Sequence, residues 1–195
     1  MIIGITGGFG CGKSTLLNLF RAKGAEVYSA DELCHRIYDE KEPDFFKALT
    51  DFFGAEAVNP DGSANRKFIG SRVFADQQAM DFLNSLFQNK LKDKINSIIK
   101  NAENKNTVSV IEIPLLFEGD YDKCVDKVLT VYASAENRRK YLAKRGFDFD
   151  EMQKRDAHQM PLDEKVKRAD LVIVNDSTEE FLKEQFNIIW NDLTR

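Results

Sequence analysis

Few cysteines, few prolines, a single tryptophan and no apolar stretch near membrane-spanning length narrow what this chain can be before any motif is considered. The three cysteines, Cys11, Cys34 and Cys124, stand far apart without metal-type spacing, and their odd number argues against a disulfide framework. The two histidines, His35 and His158, have no companion ligands in sequence, so each reads as an ordinary polar contact rather than a catalyst. Positive charge is not in excess either. With 28 Lys and Arg against 32 Asp and Glu the net charge is −4, which argues against non-specific nucleic-acid binding but leaves room for a small anionic ligand. The apolar start, Met1 to Ile5, is too short for a signal-peptide core. These absences predict a cytoplasmic enzyme with neither nucleic acid nor membrane as a partner, and they leave its oligomeric state open.

What the chain does carry is concentrated at its beginning. The stretch "IIGITGGFGCGKSTLLNLF" meets G-x-x-x-x-G-K-[ST] with Gly7, Gly12, Lys13 and Ser14, between a strand-like run at Ile2–Ile5 and a helix-like run at Ser14–Phe20. Glycines let such a loop curl until successive backbone N–H groups form a nest for phosphate oxygens, while the helix starting at the lysine aims its positive dipole end at the same anion. The expected cradle for ATP comprises Gly8, Gly10, Cys11, Gly12, Lys13, Ser14 and Thr15, with Lys13 reaching the β- and γ-phosphates and Ser14 ligating Mg²⁺. A merely glycine-rich turn is the alternative, and the flanking strand and helix argue against it. Cys11, at a helix N-terminus, suits a thiol of lowered pKa that alkylating agents attack and Mg-ATP protects, and nearly as well a buried, inert one.

Apolar runs of strand type recur at Ile2–Thr6, Glu26–Ser29, Thr107–Ile113, Val125–Ala133 and Asp170–Asn175, with helical patterns between them. That alternation predicts an α/β fold of P-loop type: a five-stranded parallel sheet with flanking helices. Gly24 is expected to close the first helix, and Ser177 with Glu180 has capping-box spacing at the start of the last, whose apolar face is Leu182, Phe186, Ile189 and Leu193. Between the second and third strands, residues 32–106 show helical spacing and no convincing strand, far more than the dozen residues a βαβ crossover needs. The reading is a nucleotide-binding core at 1–31 and 107–195, a helical insertion at 32–106 and a short lid at 146–167. Ligands in open α/β sheets lie beyond the carboxyl ends of the strands, and a binding lobe plus a water-excluding lid is the architecture of a small-molecule kinase. The pairs Phe45-Phe46 and Phe52-Phe53 read as core of the insertion.

Several side chains are candidates for chemistry. Asp31, after the second strand, suits a general base for an attacking hydroxyl, and equally a helix N-cap. Glu112, closing "TVSVIEIP", suits an acid that holds Mg²⁺ directly or through water, whereas Glu118 in "PLLFEGD" reads as a solvated loop acid. Of Arg138, Arg139 and Arg145, before the lid, Arg145 at the lid hinge is the preferred phosphate ligand and catalytic cation. Arg155 and Gln159, four apart, read as lid residues that face either the nucleotide or solvent.

Taken together, "IGITGGFGCGKST", the "SAD" after strand two, "GSANRKFIGSRVF" in the insertion, "IEIPLLFE" and "RADLVIVND" resemble the dephospho-coenzyme A kinase family in order and spacing over essentially the full length. The resemblance implies transfer of the γ-phosphoryl of ATP to the ribose 3′-hydroxyl of dephospho-CoA. It also implies Asp31 as the base, Gly10 to Thr15 as the ATP-phosphate loop, Asn175 with the lid around the adenine, and the insertion as the acceptor lobe. Ser29 stands where the family usually has Asp, Gln88-Asn89 replace a His-Pro pair, Tyr141 replaces an Arg, and Cys11 stands where Ser is commonest. Another P-loop nucleotide or nucleoside kinase, and a nucleotide-binding regulatory module without turnover, remain as alternatives.

Overall fold

The computed structural model describes residues 1–105 and 107–195, with the side chains at 103–105 and 151 outside the description. In chain order the elements are β1 (Ile2–Gly7), α1 (Lys13–Ala22), β2 (Glu26–Ser29), α2 (Ala30–Asp39), α3 (Pro43–Phe53), α4 (Arg66–Ala75), α5 (Gln77–Lys105), β3 (Ser109–Glu112), β4 (Lys127–Tyr132), α6 (Ala135–Ala143), α7 (Phe149–Ala157), α8 (Leu162–Arg168), β5 (Leu171–Val174) and α9 (Glu179–Leu193). Single 3-10 turns at Ala55–Ala57 and Tyr121–Cys124 complete the set. Among the described residues no helix is long and apolar enough to cross a membrane.

The five strands form one sheet in the order β2-β3-β1-β4-β5, every pair parallel. β1 lies at its centre and is buried along its whole length, as a strand covered on both faces must be. Its register opposite β3 sets Ile5 against Glu112, and β3 in turn sets Glu112 against Ser29 of β2, so the carboxyl ends of three strands share one edge.

Two compact units are present, residues 1–29 with 97–195 and residues 30–96. The first is organised around Ile3, Ile5, Leu16, Phe20, Val110 and Leu129, closed from one side by Leu182 and Phe186 of α9. Phe20 meets Phe186 edge-on at 4.9 Å. The second has its own core of Ile37, Phe45, Leu49, Ile69 and Val73, into which Phe87 packs. Phe45 is fully buried, but Phe52 is 44% exposed and lies flat on Phe82 at 4.0 Å, so that expected core residue belongs to a surface stack. Val58 and Ala64 form one isolated antiparallel bridge there. Asn106, the expected end of the insertion, lies outside the described residues.

Helix ends follow local chemistry, with one shift. Gly24 adopts φ +85° just past the Lys23 C-cap of α1 and donates its N–H to the Arg21 carbonyl, the left-handed termination that glycine permits. The last helix is capped by Thr178, whose hydroxyl accepts from the N–H of Phe181, one residue later than the Ser177 expected from sequence. Asp176 is engaged elsewhere, accepting from the Ser134 N–H at 2.7 Å. Thr178→Ala should therefore lower unfolding free energy by about 1 kcal/mol, while Ser177→Ala should leave the urea midpoint near wild type. The reverse pattern in equilibrium unfolding would restore the earlier cap.

Candidate active site

The loop between β1 and α1 is set by backbone conformations that only glycine adopts without strain. Gly10 has φ +83° and Gly12 φ +92°, and a Cβ on Gly12 would collide with the Asn175 amide. The turn is closed by the Cys11 N–H on the Gly8 carbonyl at 3.2 Å, after which Thr15 and Leu16 donate to the Gly12 carbonyl as α1 begins. Ser14 and Thr15 stand exposed in that first turn.

Lys13 opens α1 and folds back over the loop. Its Nζ donates to the carbonyls of Gly7 at 3.2 Å and Gly8 at 3.1 Å and lies 3.9 Å from Glu112 Oε1. Both side chains are largely shielded, at 11% and 19% exposure, which strengthens their attraction relative to a surface pair. The meeting is a result of topology: Glu112 ends β3, the parallel neighbour of the strand that leads into the loop. Among the described residues no three His, Cys, Asp or Glu side chains cluster as a metal cage. Ser14 and Glu112 supply a hydroxyl and a carboxylate, hard oxygen donors of the kind Mg²⁺ takes when substrate phosphates and water complete its shell.

The loop is walled in by α6 and by the residue after β5. Arg138, 5% exposed, donates from Nε to the Phe9 carbonyl at 2.7 Å and grips both oxygens of Asp156 on α7 at 2.6 and 2.8 Å. Arg155, also on α7, lies over the Phe9 ring at 4.2 Å. Arg139 stacks on Phe149 at 3.7 Å, and Arg145, exposed beyond α6, lies 5.7 Å from the Phe147 ring. Of the three pre-lid arginines, Arg138 is the one bonded to the loop, and its guanidinium is already committed to protein acceptors. Asn175 donates its amide to the Cys11 carbonyl at 3.0 Å and accepts at its own carbonyl from the Tyr141 hydroxyl at 3.1 Å.

Three expectations change. Cys11 is fully buried, and desolvation pushes its thiol pKa up against the lowering influence of Arg138 and Lys13. Glu118 is exposed but not free in solvent: its Oε1 accepts from the Met160 N–H at 2.6 Å and lies 3.1 Å from the Lys165 ammonium. Gln159 falls beyond the end of α7 and turns its carbonyl oxygen toward the same ammonium at 3.4 Å. Lys165 itself escaped sequence reasoning, although its spacing with Leu162 and Ala169 puts it on the inward stripe of α8.

In the second unit, Asp31 lies inside the first turn of α2, which starts at Ala30, so it is not the N-cap. Its exposed carboxylate faces no hydrogen-bond or ion-pair partner among the described residues. The Cys34 thiol, one turn on, is pushed up to about 11 by burial with a contribution from the Asp31 charge. His35 Nδ1 pairs with Arg66 at 2.8 Å, an ordinary polar contact.

An all-parallel sheet whose first strand runs into G-x-x-x-x-G-K-S, with an acid from the neighbouring strand beside the lysine, defines a P-loop kinase. The fold is shared with a shikimate kinase from Bacteroides thetaiotaomicron, at TM-score 0.53 and 12% identity over 100% of this chain and 99% of that one. The dephospho-CoA kinase family model (CoaE) matches residues 1–180, and the chain belongs to that family. A dephospho-CoA kinase of Aquifex aeolicus (strain VF5) is 35% identical over 99% of this chain and 97% of its own length. That of Arabidopsis thaliana is 34% identical over 100% and 84%. A solved structure from Thermus thermophilus superposes at TM-score 0.79 with 30% identity, covering 100% of this chain and 98% of the other. The reaction is the ATP-dependent phosphorylation of dephospho-CoA to coenzyme A.

Burial of Cys11 has a direct chemical consequence. With iodoacetamide at neutral pH, the folded protein should label at Cys11 far more slowly than the unfolded protein, because a raised pKa leaves little thiolate and the sulfur is inaccessible. Peptide mass spectrometry that found Cys11 labelled as fast in the native state as in urea would contradict this.

Proposed function

We propose that phosphoryl transfer is divided between Lys13, which stabilises charge on the transferring group, and Asp31, which accepts the proton of the ribose 3′-hydroxyl. The observation that carries this reading is the Lys13 ammonium held over the phosphate loop between two backbone carbonyls and Glu112. Two of the ammonium's three N–H donors are taken by the carbonyls, and the third can turn to a phosphate oxygen while those bonds are kept. Mg²⁺ at Ser14 and Glu112 would neutralise charge on the β- and γ-phosphates.

Asp31 is supported by its chemistry: an exposed carboxylate with no partner among the described residues competing for its lone pairs can accept a proton from a substrate hydroxyl. Gly8 to Thr15 form the phosphate cradle in this reading, and Asn175 with residues 146–167 borders the base. Arg145, exposed and held among the described residues by a ring contact, is the arginine of its segment with hydrogen-bonding capacity to spare for the phosphates. The insertion is the acceptor lobe, and the enzyme works in the cytoplasm with dephospho-CoA and ATP as partners. A regulatory module free of catalytic demand has no evident need of a base such as Asp31.

Turnover with Mg-ATP and dephospho-CoA, set against adenosine, AMP and a no-acceptor control, tests the assignment. Lys13→Ala should abolish transfer while the far-ultraviolet circular dichroism stays native. Asp31→Asn should lower kcat by about a hundred- to ten-thousand-fold, with directly measured ATP affinity little changed. Near-normal kcat in a folded Asp31→Asn variant would withdraw the base assignment.

A further inference from the structure

An ammonium is among the most costly groups to bury, yet the side chain of Lys165 is fully enclosed. Its Nζ donates to the Pro114 carbonyl at 2.6 Å, lies 3.1 Å from Glu118 and meets the Gln159 carbonyl oxygen at 3.4 Å. Desolvation lowers its pKa, opposed by Glu118. The same Pro114 carbonyl also accepts from the Thr6 hydroxyl at 3.1 Å, and Thr6 directly precedes the phosphate loop. Glu118 accepts from the Met160 N–H as well, at the start of the segment that leads into α8. The backbone of Lys165 is fixed in turn, its carbonyl accepting from the Thr130 hydroxyl of β4 at 3.2 Å.

One charge thus stands where three parts of the chain cross: the end of β1, the segment leaving β3 two residues after Glu112, and the connection between α7 and α8. Packing alone does not call for it. A buried ion pair is frequently no more stabilising than apolar side chains of similar size, whereas an ammonium fixes the direction of each acceptor around it. We propose that Lys165, acting through Pro114 and Glu118, is a positioning residue for phosphoryl transfer: it sets Glu112 relative to the phosphate loop and fastens the return of the lid segment at Met160. The proposal rests on the kinase reading for its catalytic part only.

The test compares wild type with Lys165→Met/Glu118→Leu, which removes the pair without stranding either charge. The double variant should unfold at a urea midpoint at or above wild type. Its kcat with dephospho-CoA should fall roughly ten- to a hundredfold, its KM for ATP should shift by less than about threefold, and its Met160 amide should exchange hydrogen roughly ten times faster. A stable variant with wild-type kcat overturns the proposal, as does lost kcat with Met160 exchange unchanged. Should the double variant fail to fold, Glu118→Gln, equal in size and uncharged, is read by the same kcat and exchange criteria. If the wild-type protein itself does not turn over dephospho-CoA, the kinase reading has failed. Met160 exchange in the variant, with direct ATP binding, then decides the positioning claim alone: unchanged exchange overturns it.

Discussion

The phosphate loop can present its N–H groups inward only if its carbonyls, turned the other way, find donors outside it. Four of them have a named side-chain partner: the carbonyls of Gly7 and Gly8 take the Lys13 ammonium, that of Phe9 takes Arg138, and that of Cys11 takes the Asn175 amide. Left unpaired in a shielded site, each would cost about 1–3 kcal/mol. Much of the first unit follows from that requirement. α6 is placed to deliver Arg138, β5 ends where Asn175 can reach back, and Asp156 on α7 neutralises the guanidinium that the loop has drawn into the interior.

The same network explains which parts were legible in the sequence. The loop, the strand that feeds it and the glycine that ends α1 depend on conformations encoded within a few residues, and all three are recognisable by eye. Strand alternation gave the parallel sheet for the same reason. The distant partners of the loop were not legible, because Arg138 meets Phe9 across 129 positions and Asn175 meets Cys11 across 164, and no local pattern records a pairing at that range. Ser177 and Thr178 show the finer limit: two adjacent hydroxyl residues offer equivalent caps, and only the approach of the chain from β5 selects between them.

Cys11 marks where local and tertiary effects compete. A helix N-terminus stabilises a thiolate, but the residue is enclosed by the core that the loop itself closes, and desolvation outweighs the nearby Arg138 and Lys13 charges. Glu118 is the opposite case, an acid whose surroundings are more structured than its loop sequence suggests, since a buried ammonium 3.1 Å away gives it a fixed partner.

The scarcity of tryptophan has a use. Trp190 of α9 is the single indole in the chain and packs with Phe186 against Phe20, near the far end of the helix that begins with Lys13 and Ser14. Intrinsic indole emission therefore has one source, on the seam between α1 and α9. A change in its wavelength or quenching has one address in the molecule, and it reports on the helix whose first turn lies at the phosphate loop.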